Sequence, residues 1–167
     1  MLSQLNSNTA AGPDDIPAFL LKNLAEALAA NLADIFNASI RTGCFPDMWK
    51  EANMCAVWKG KGCKKDPSSY RSISVHPVLA SVLEKVVAAQ LKNDCNRNAI
   101  MPNQQVGFRK GFSCELAVLR ALESWYSSLD KGNVVGALLV DLSRAFDTVP
   151  YQKLISKVWL LDVVGRP

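Results

Sequence analysis

The sequence is poor in the residues that build zinc sites and disulfide frameworks. It has one histidine, His76, and five cysteines, and no two cysteines form a Cys-x-x-Cys pair. Zinc sites need about four such ligands at close spacing, so these counts disfavour a structural zinc ion. An odd number of widely spaced cysteines is typical of free thiols in a reducing compartment, which predicts an intracellular protein.

Long apolar runs are also missing. The longest clean run, from Val134 to Val140, contains a glycine and is far shorter than the roughly 20 residues of a membrane-spanning helix. Met1 to Leu5 have neither the basic start nor the apolar stretch of a signal peptide. We therefore expect no membrane segment. With 49% hydrophobic and 20% charged residues over 167 positions, the chain is expected to form one domain or a piece of a larger one.

Acidic residues are scarce in one short stretch. The chain holds 19 lysines and arginines against 15 aspartates and glutamates, a net charge of +4. Between Lys59 and Arg71, five basic residues stand with a single acid, Asp66, so this stretch alone carries the excess. A local basic patch favours a polyanionic partner such as phosphate, although a merely solvated, lysine-rich loop is the simpler explanation from charge alone.

Apolar residues at three- and four-residue intervals predict that most of the chain is helical. A long helix or a helix pair is expected from Pro17 to Gly43, where the glycine ends it. Further helices are expected after Pro77, after Ser113 as an N-cap, and after Pro150. The predicted core face of the helix after Ser113 consists of Leu116, Leu119, Leu122, Trp125, Tyr126 and Leu129.

Two mixed runs, 52–58 and 70–75, predict a hairpin whose tip carries the basic stretch. Residues 93–102 are expected to form a loop, and Gly107–Gly111 a compact basic turn. The run from Val134 to Leu142 is apolar at successive positions, as in a central strand that is buried on both faces. We therefore predict one buried strand in addition to the hairpin.

Asp141 stands at the end of this predicted buried strand. An ionised carboxylate in apolar surroundings is costly unless it is paired, hydrogen-bonded or bound to a metal ion, and ligands often meet a sheet at its strand ends. Asp141 is therefore a candidate metal ligand. Capping of the following turn explains the residue equally well.

Several motifs together resemble the reverse transcriptases of LINE-like (non-LTR) retrotransposons. The octet from Val140 to Asp147 is similar to motif A of that family, and the blocks occur in the family's order over almost the whole chain. The other similar blocks are Gly12-Pro13-Asp14-Asp15-Ile16-Pro17, Trp49-Lys50, Val57-Trp58-Lys59-Gly60-Lys61, Tyr70-Arg71-Ser72-Ile73-Ser74 and Gln104 to Arg109 followed by Ser113-Cys114.

The resemblance implies an α+β fold, an incomplete right-hand polymerase with fingers and a partial palm. Such a chain is helix-rich, with a fingers β-hairpin and one buried palm strand. Residues 1–133 would be mainly fingers and residues 134–167 the start of the palm. The parent enzyme would be an RNA-directed DNA polymerase that extends a DNA primer along an RNA template with dNTPs and two Mg²⁺ ions, in the cytoplasm and nucleus.

The resemblance also implies roles for individual residues. Asp141 matches the first metal-binding aspartate, and the backbone carbonyl of Leu142 is the expected neighbouring metal ligand. Phe146 matches the bulky side chain that packs under the nucleotide sugar and excludes a ribose 2′-hydroxyl, although plain core packing also explains a phenylalanine there. Lys59 and Arg71 match the fingers residues that hold the incoming triphosphate. Arg109 lies in a block that supports the template and the nucleotide pocket, and a structural ion pair is its alternative.

Two departures from the family pattern limit these expectations. Ser72 replaces the family's proline beside Arg71, which loosens the backbone there. No aromatic-x-Asp-Asp motif follows Asp141, so we expect a fragment of the polymerase polyprotein that is inactive alone. Because half a palm leaves a sheet edge unpaired, we also expect poor solubility of the isolated chain. The alternative is a non-catalytic nucleic-acid-binding remnant that uses the basic hairpin. A small phosphoryl-transfer domain built on Asp141 would need a second acidic cluster and a late lysine, and neither is evident.

Overall fold

The computed structural model describes residues 1–142 and 145–160 of the chain. Its helices are α1 (Ala18–Asn23), α2 (Ala25–Thr42), α3 (Val78–Arg97), α4 (Cys114–Leu129) and α5 (Tyr151–Leu160). Its strands are β1 (Asn53–Trp58) and β2 (Tyr70–Val75), which form a two-stranded antiparallel sheet. The protein is therefore helix-rich with one β-hairpin. No helix among the described residues combines the length and apolar content needed to cross a bilayer.

Local signals in the sequence explain where the helices begin and end. Pro17, with extended backbone angles, precedes α1, and Gly43 ends α2 in the left-handed conformation with φ of 68°. The Ser113 hydroxyl accepts a hydrogen bond of 3.2 Å from the backbone N–H of Leu116 and so caps α4. The sequence predicted these ends correctly, whereas α3 continues to Arg97 through the first part of the expected 93–102 loop.

The chain forms two compact units, Met1–Gln90 and Leu91–Pro167. Every buried hydrophobic side chain of the described residues belongs to the first unit. One cluster there joins the N-terminal segment and α1 to the start of α3, and a second packs Trp49 against α3, with Phe36 and Leu79 touching both. The first cluster contains Leu5, Ala18, Leu21, Val78 and Val82, and the second contains Trp49, Ala80 and Leu83.

Gly12 fixes the close approach of the N-terminal turn to the start of α3. A Cβ at this position would lie 2.4 Å from the backbone nitrogen of Pro77 and 2.6 Å from the carbonyl carbon of His76. The turn is closed by a hydrogen bond of 3.1 Å from the Asp15 N–H to the Gly12 carbonyl. The turn at residues 12–15 is therefore a packing element of the first unit.

The predicted buried strand at 134–142 is not present in the structure. These residues form no ladder, and Val134, Leu138 and Leu139 are about nine-tenths exposed. A strand needs a neighbour to pair its backbone groups, and β1 and β2 are the only strands in the described part of the chain. Residues 137–139 instead line an open groove of about 450 Å³ with α4.

The predicted core face of α4 is also wrong. Leu119, Tyr126 and Leu129 are each more than half exposed, and α4 contains no buried residue. Burial of an amphipathic face requires a second layer to cover it, and the segment that lines a groove with α4 is the unpaired, exposed run 137–139. The apolar stripe exists in sequence, but nothing in the described chain covers it.

Candidate functional site

The β1–β2 hairpin brings Lys59 and Arg71 onto the same face. The register pairs Val57 with Arg71, and the Lys59 N–H donates a 2.8 Å hydrogen bond to the Ser69 carbonyl, which continues the ladder by one residue. Side chains alternate along a strand, so Lys59 shares the face of Val57 and lies diagonally across from Arg71. This alternation therefore assigns two cations, one from each end of the loop, to the same face of the hairpin.

The two cations differ in what they contact. The Lys59 Nζ donates a 2.6 Å hydrogen bond to the Ser68 carbonyl, so this ammonium is held against the loop. The Arg71 side chain is exposed and has no hydrogen bond or ion pair within residues 1–142 and 145–160. Its planar group of donors therefore remains available for a bidentate acceptor such as a phosphate.

The acid of the loop is held in its charged form by a neighbouring serine and forms no close ion pair with the lysines of the loop. Asp66 accepts hydrogen bonds from the Ser68 hydroxyl at 2.6 Å and from the Ser68 N–H at 2.8 Å. These two hydrogen bonds lower the pKa of the Asp66 carboxyl below its ordinary value, and the bond from the hydroxyl has the larger effect. Because this carboxylate caps a short helical turn, it does not form a close ion pair with the lysines of the loop.

Aromatic residues at the end of the hairpin shape its tip. The Lys64 ammonium lies 5.1 Å from the centroid of the Trp58 ring, and the Tyr70 hydroxyl donates a 2.8 Å hydrogen bond to the Lys64 carbonyl. Trp58 and Tyr70 are paired across the sheet. This second face of the hairpin therefore fixes the loop, whereas the first face carries Lys59 and Arg71.

Asp141 and Leu142 belong to the second unit and stand on the exposed segment that follows α4. Both residues are exposed and lie outside any helix or strand, so the apolar surroundings in which a carboxylate is costly are not present. Among the described residues, no group of three or more His, Cys, Asp or Glu side chains could hold a metal ion. The described chain thus offers an isolated carboxylate here.

Phe146 contacts the ring of Phe108. The two centroids lie 6.2 Å apart with the rings at 86°, an edge-to-face pair. Both rings are largely exposed, at 78% for Phe146 and 87% for Phe108. This pair joins the Gln104–Arg109 block to the block that follows Asp141, although the two are far apart in sequence. Core packing of Phe146, the alternative considered above, does not occur in this structure.

Arg109 organises the loop between α3 and α4. Its Nη1 donates to the carbonyls of Pro102 at 3.0 Å and Gln105 at 3.4 Å, and its guanidinium lies 4.7 Å from the centroid of the Phe112 ring. Arg120 contacts the same ring at 5.0 Å and donates to the Asn103 carbonyl. Arg109 therefore forms no ion pair in the described chain, and its partners are carbonyls and an aromatic ring.

Sequence reasoning missed three contributors to this arrangement. The sequence pattern assigns Phe108 only to a basic turn and gives no sign that the ring of Phe112 supports Arg109. No local pattern indicates either contact. Asp66 is different, because an aspartate followed directly by a proline is a recognisable start signal for a helical turn.

Comparisons with known proteins agree with the motifs. The sequence model of the family described as "Reverse transcriptase (RNA-dependent DNA polymerase)" matches residues 63–164, a range that includes Arg71, Arg109, Asp141 and Phe146 but begins after Lys59. No solved structure matches.

The similar curated proteins come from insect mobile elements. The probable RNA-directed DNA polymerase from transposon BS of Drosophila melanogaster is 33% identical over 88% of this chain and 16% of its own length. The corresponding protein from transposon X-element is 30% identical over 86% of this chain and 16% of its own length. The RNA-directed DNA polymerase from mobile element jockey is 28% identical over 94% of this chain and 17% of its own length.

The chain spans about one sixth of the length of these relatives. The family match nevertheless covers more than half of the chain and contains, in their expected order, the motif blocks from Tyr70 onward. The sequence therefore belongs to the reverse transcriptase family, in the LINE-like branch to which these retrotransposon polymerases belong.

Proposed function

We propose that this chain is the fingers and the beginning of the palm of an RNA-directed DNA polymerase that copies retrotransposon RNA into DNA. Residues 1–133 would be mainly fingers and residues 134–167 the start of the palm. The proposal extends to the parent protein, whose partners would be an RNA template, a DNA primer, dNTPs and the remainder of the polyprotein. The five free cysteines favour an intracellular location.

The observation that carries the proposal is the placement of Lys59 and Arg71 on one face of the hairpin. A triphosphate approaching this face would meet a compact ammonium and a planar guanidinium, which together neutralise charge on adjacent phosphates. The held ammonium of Lys59 supplies a fixed point charge, and the unpartnered guanidinium of Arg71 supplies a bidentate donor pair.

The second unit would supply the sugar contact and some of the Mg²⁺ ligands of a nucleotide site. An exposed Phe146 ring is accessible to a sugar, and Arg109 would keep the adjacent loop in shape. Mg²⁺ prefers about six oxygen ligands in octahedral geometry. Asp141 and the carbonyl of Leu142 would supply two such oxygens, and the described residues do not complete the set. Residues 1–142 and 145–160 would therefore supply only part of a Mg²⁺ site.

A second candidate function is nucleic-acid binding without catalysis. The absence of a group of three metal-binding side chains among residues 1–142 and 145–160 favours it for the chain taken alone. In this case the same basic hairpin would contact phosphates of RNA or DNA without sequence preference, and the affinity would fall steeply with salt.

Nucleic-acid binding by the 167-residue chain tests the role of the hairpin. We expect Lys59→Ala and Arg71→Ala each to weaken binding of a single-stranded RNA about 3- to 10-fold. Each should also reduce the slope of log affinity against log salt by about 0.7, the value for one phosphate contact on a single strand. Lys85→Ala, which removes an exposed lysine of α3, is the matched control and should change neither quantity. An unchanged affinity and slope in both hairpin variants would contradict the proposed clamp.

Primer extension separates the two candidate functions. The isolated chain is expected to show no Mg²⁺-dependent DNA synthesis on an RNA template, whereas the polymerase that contains this segment is expected to be active. Robust synthesis by the isolated chain would show that it holds a complete catalytic site. An inactive full-length protein that still binds RNA would favour the non-catalytic alternative.

A further inference from the structure

Phe108 has an unusual backbone and an unusual side chain. Its φ of 61° lies in the left-handed region, which disfavours residues other than glycine, asparagine and aspartate. Its ring is 87% exposed, so the strain is not explained by burial of an apolar side chain. Strained residues that persist in a fold are held by their surroundings and are found disproportionately at functional sites.

The neighbours of Phe108 in the loop explain how this conformation is held. Arg109 turns back to the carbonyls of Pro102 and Gln105 and stacks on Phe112. Gly107, on the other side, has no heavy atom within 4 Å of the position where a Cβ would be. The chain therefore reverses at Phe108, and the ring is directed outward from a loop that is fixed at Arg109.

The outward ring of Phe108 forms the edge-to-face pair with the ring of Phe146 that is described above. With 78% of its side chain exposed, Phe146 has little packing to select a rotamer. A ring pair at this distance and angle favours one orientation of the partner ring. Within residues 1–142 and 145–160, the contact with Phe108 is thus a constraint on the direction of the Phe146 ring.

We infer that Phe108 is a positioning residue that sets the orientation of Phe146 and thereby the discrimination between deoxyribonucleotides and ribonucleotides. The inference rests on the proposed function, in which the Phe146 ring packs under the nucleotide sugar. Steric exclusion of a 2′-hydroxyl depends on where the ring stands to within a fraction of an ångström. A ring that is free to change rotamer excludes the hydroxyl less well, while the space for a deoxyribose remains.

The test measures kcat/KM for a dNTP and for the matching rNTP in the polymerase that contains this segment. We expect Phe108→Ala to lower the dNTP-to-rNTP ratio about 3- to 10-fold through faster rNTP incorporation, with kcat/KM for the dNTP within 2-fold of the parent. Phe108→Tyr retains the ring and should restore the ratio. Phe19→Ala removes an exposed ring from α1 and is the matched control, with no change expected.

Phe146→Ala distinguishes failure of the inference from failure of the proposed function. A ratio unchanged by Phe146→Ala would overturn the proposed role of Phe146, and the inference with it. A ratio that falls with Phe146→Ala but not with Phe108→Ala would overturn the inference alone. An equal loss of kcat/KM for both nucleotides in Phe108→Ala would show a merely structural role and would also overturn it.

A second measurement uses the 167-residue chain and does not depend on activity. Ring protons of Phe108 and Phe146 are expected to show a nuclear Overhauser effect. The Phe146 ring signals should move in Phe108→Ala and remain near their original positions in Phe108→Tyr. The absence of the cross-peak in the folded chain would overturn the inference directly.

Discussion

At the scale of single residues, Arg109 contacts two backbone carbonyls and an aromatic ring, so it contributes to the stability of its loop as well as to the expected support of the nucleotide pocket. We predict that Arg109→Ala lowers the free energy of unfolding of the second unit by about 1 to 2 kcal/mol, because two carbonyls lose a charged donor and Phe112 loses a stacked guanidinium. Urea denaturation followed by the NMR signal of the Trp125 indole N–H, which is separate from those of the other three tryptophans, would measure the change.

Two further variants show whether the planar group matters. Arg109→Lys keeps the charge but cannot reach two carbonyls with a fixed fork of donors, so it should recover less than half of the loss. Lys110→Ala removes the neighbouring exposed cation and should be within about 0.5 kcal/mol of the parent. Equal effects of Arg109→Ala and Lys110→Ala would indicate that net charge alone matters.

The Asp66 carboxyl gives the hairpin loop a pH dependence. Its folded pKa is lowered by the Ser68 hydroxyl and N–H, so its contribution to stability is present above the unfolded value of about 3.9 and is lost as the pH falls through the folded pKa. We therefore predict that the Ser68 amide resonance titrates with a midpoint below 3.9. Asp66→Asn should abolish this titration, and a midpoint above 3.9 would contradict the cap.

At the scale of elements, the contact between the N-terminal turn and α3 depends on Gly12. We predict that Gly12→Ala lowers the free energy of unfolding by about 2 kcal/mol or more, because the new Cβ would overlap the backbone at His76 and Pro77, which cannot rotate away. Gly136→Ala is the control, since nothing lies within 4 Å of its Cβ position. Thermal unfolding of both variants would measure the difference, and similar melting temperatures would contradict the close approach.

Most elements could be predicted because their signals are local. Helical periodicity between Pro17 and Gly43 indicated α1 and α2, and Ser113 marked the start of α4 through a cap that involves neighbouring residues only. The hairpin was predicted from two mixed runs separated by a loop rich in glycine and charge. In each of these segments the stabilising partner lies within a few residues or directly across the turn.

Features that depend on distant partners could not be predicted. The run 134–142 has the composition of a buried strand, but composition does not reveal whether another strand is available to pair with it. The shared face of Lys59 and Arg71 follows from the register, which is known only when the turn geometry is known. The Phe108–Phe146 contact joins two blocks that no sequence period connects.

At the scale of the whole molecule, apolar burial is unevenly distributed between the two units. All buried hydrophobic residues of the described chain lie between Leu5 and Leu83, whereas α4 and α5 contain none. Regions with few buried apolar contacts open more readily than a packed core. We therefore predict that amide hydrogens of α3 near Leu83 exchange much more slowly than those of α4, as measured by hydrogen–deuterium exchange with mass spectrometry.

A pair of leucine variants adds a check on this asymmetry. Leu83 is 2% exposed and Leu139 is 90% exposed. Leu83→Ala should therefore cost about 2 to 5 kcal/mol and accelerate exchange across the first unit, whereas Leu139→Ala should leave exchange there unchanged. Uniform exchange over both units would show that they unfold as one.

The bare segment 134–142 has a consequence for the behaviour of the chain in solution. Its backbone N–H and C=O groups have no partner strand among the described residues, and its leucines and valines face water. Identical copies of such a segment can pair their backbone N–H and C=O groups by stacking in register, since each added copy presents the same unpaired edge to the next. We therefore expect the solubility limit of the isolated chain to depend on this segment more than on the stability of either unit.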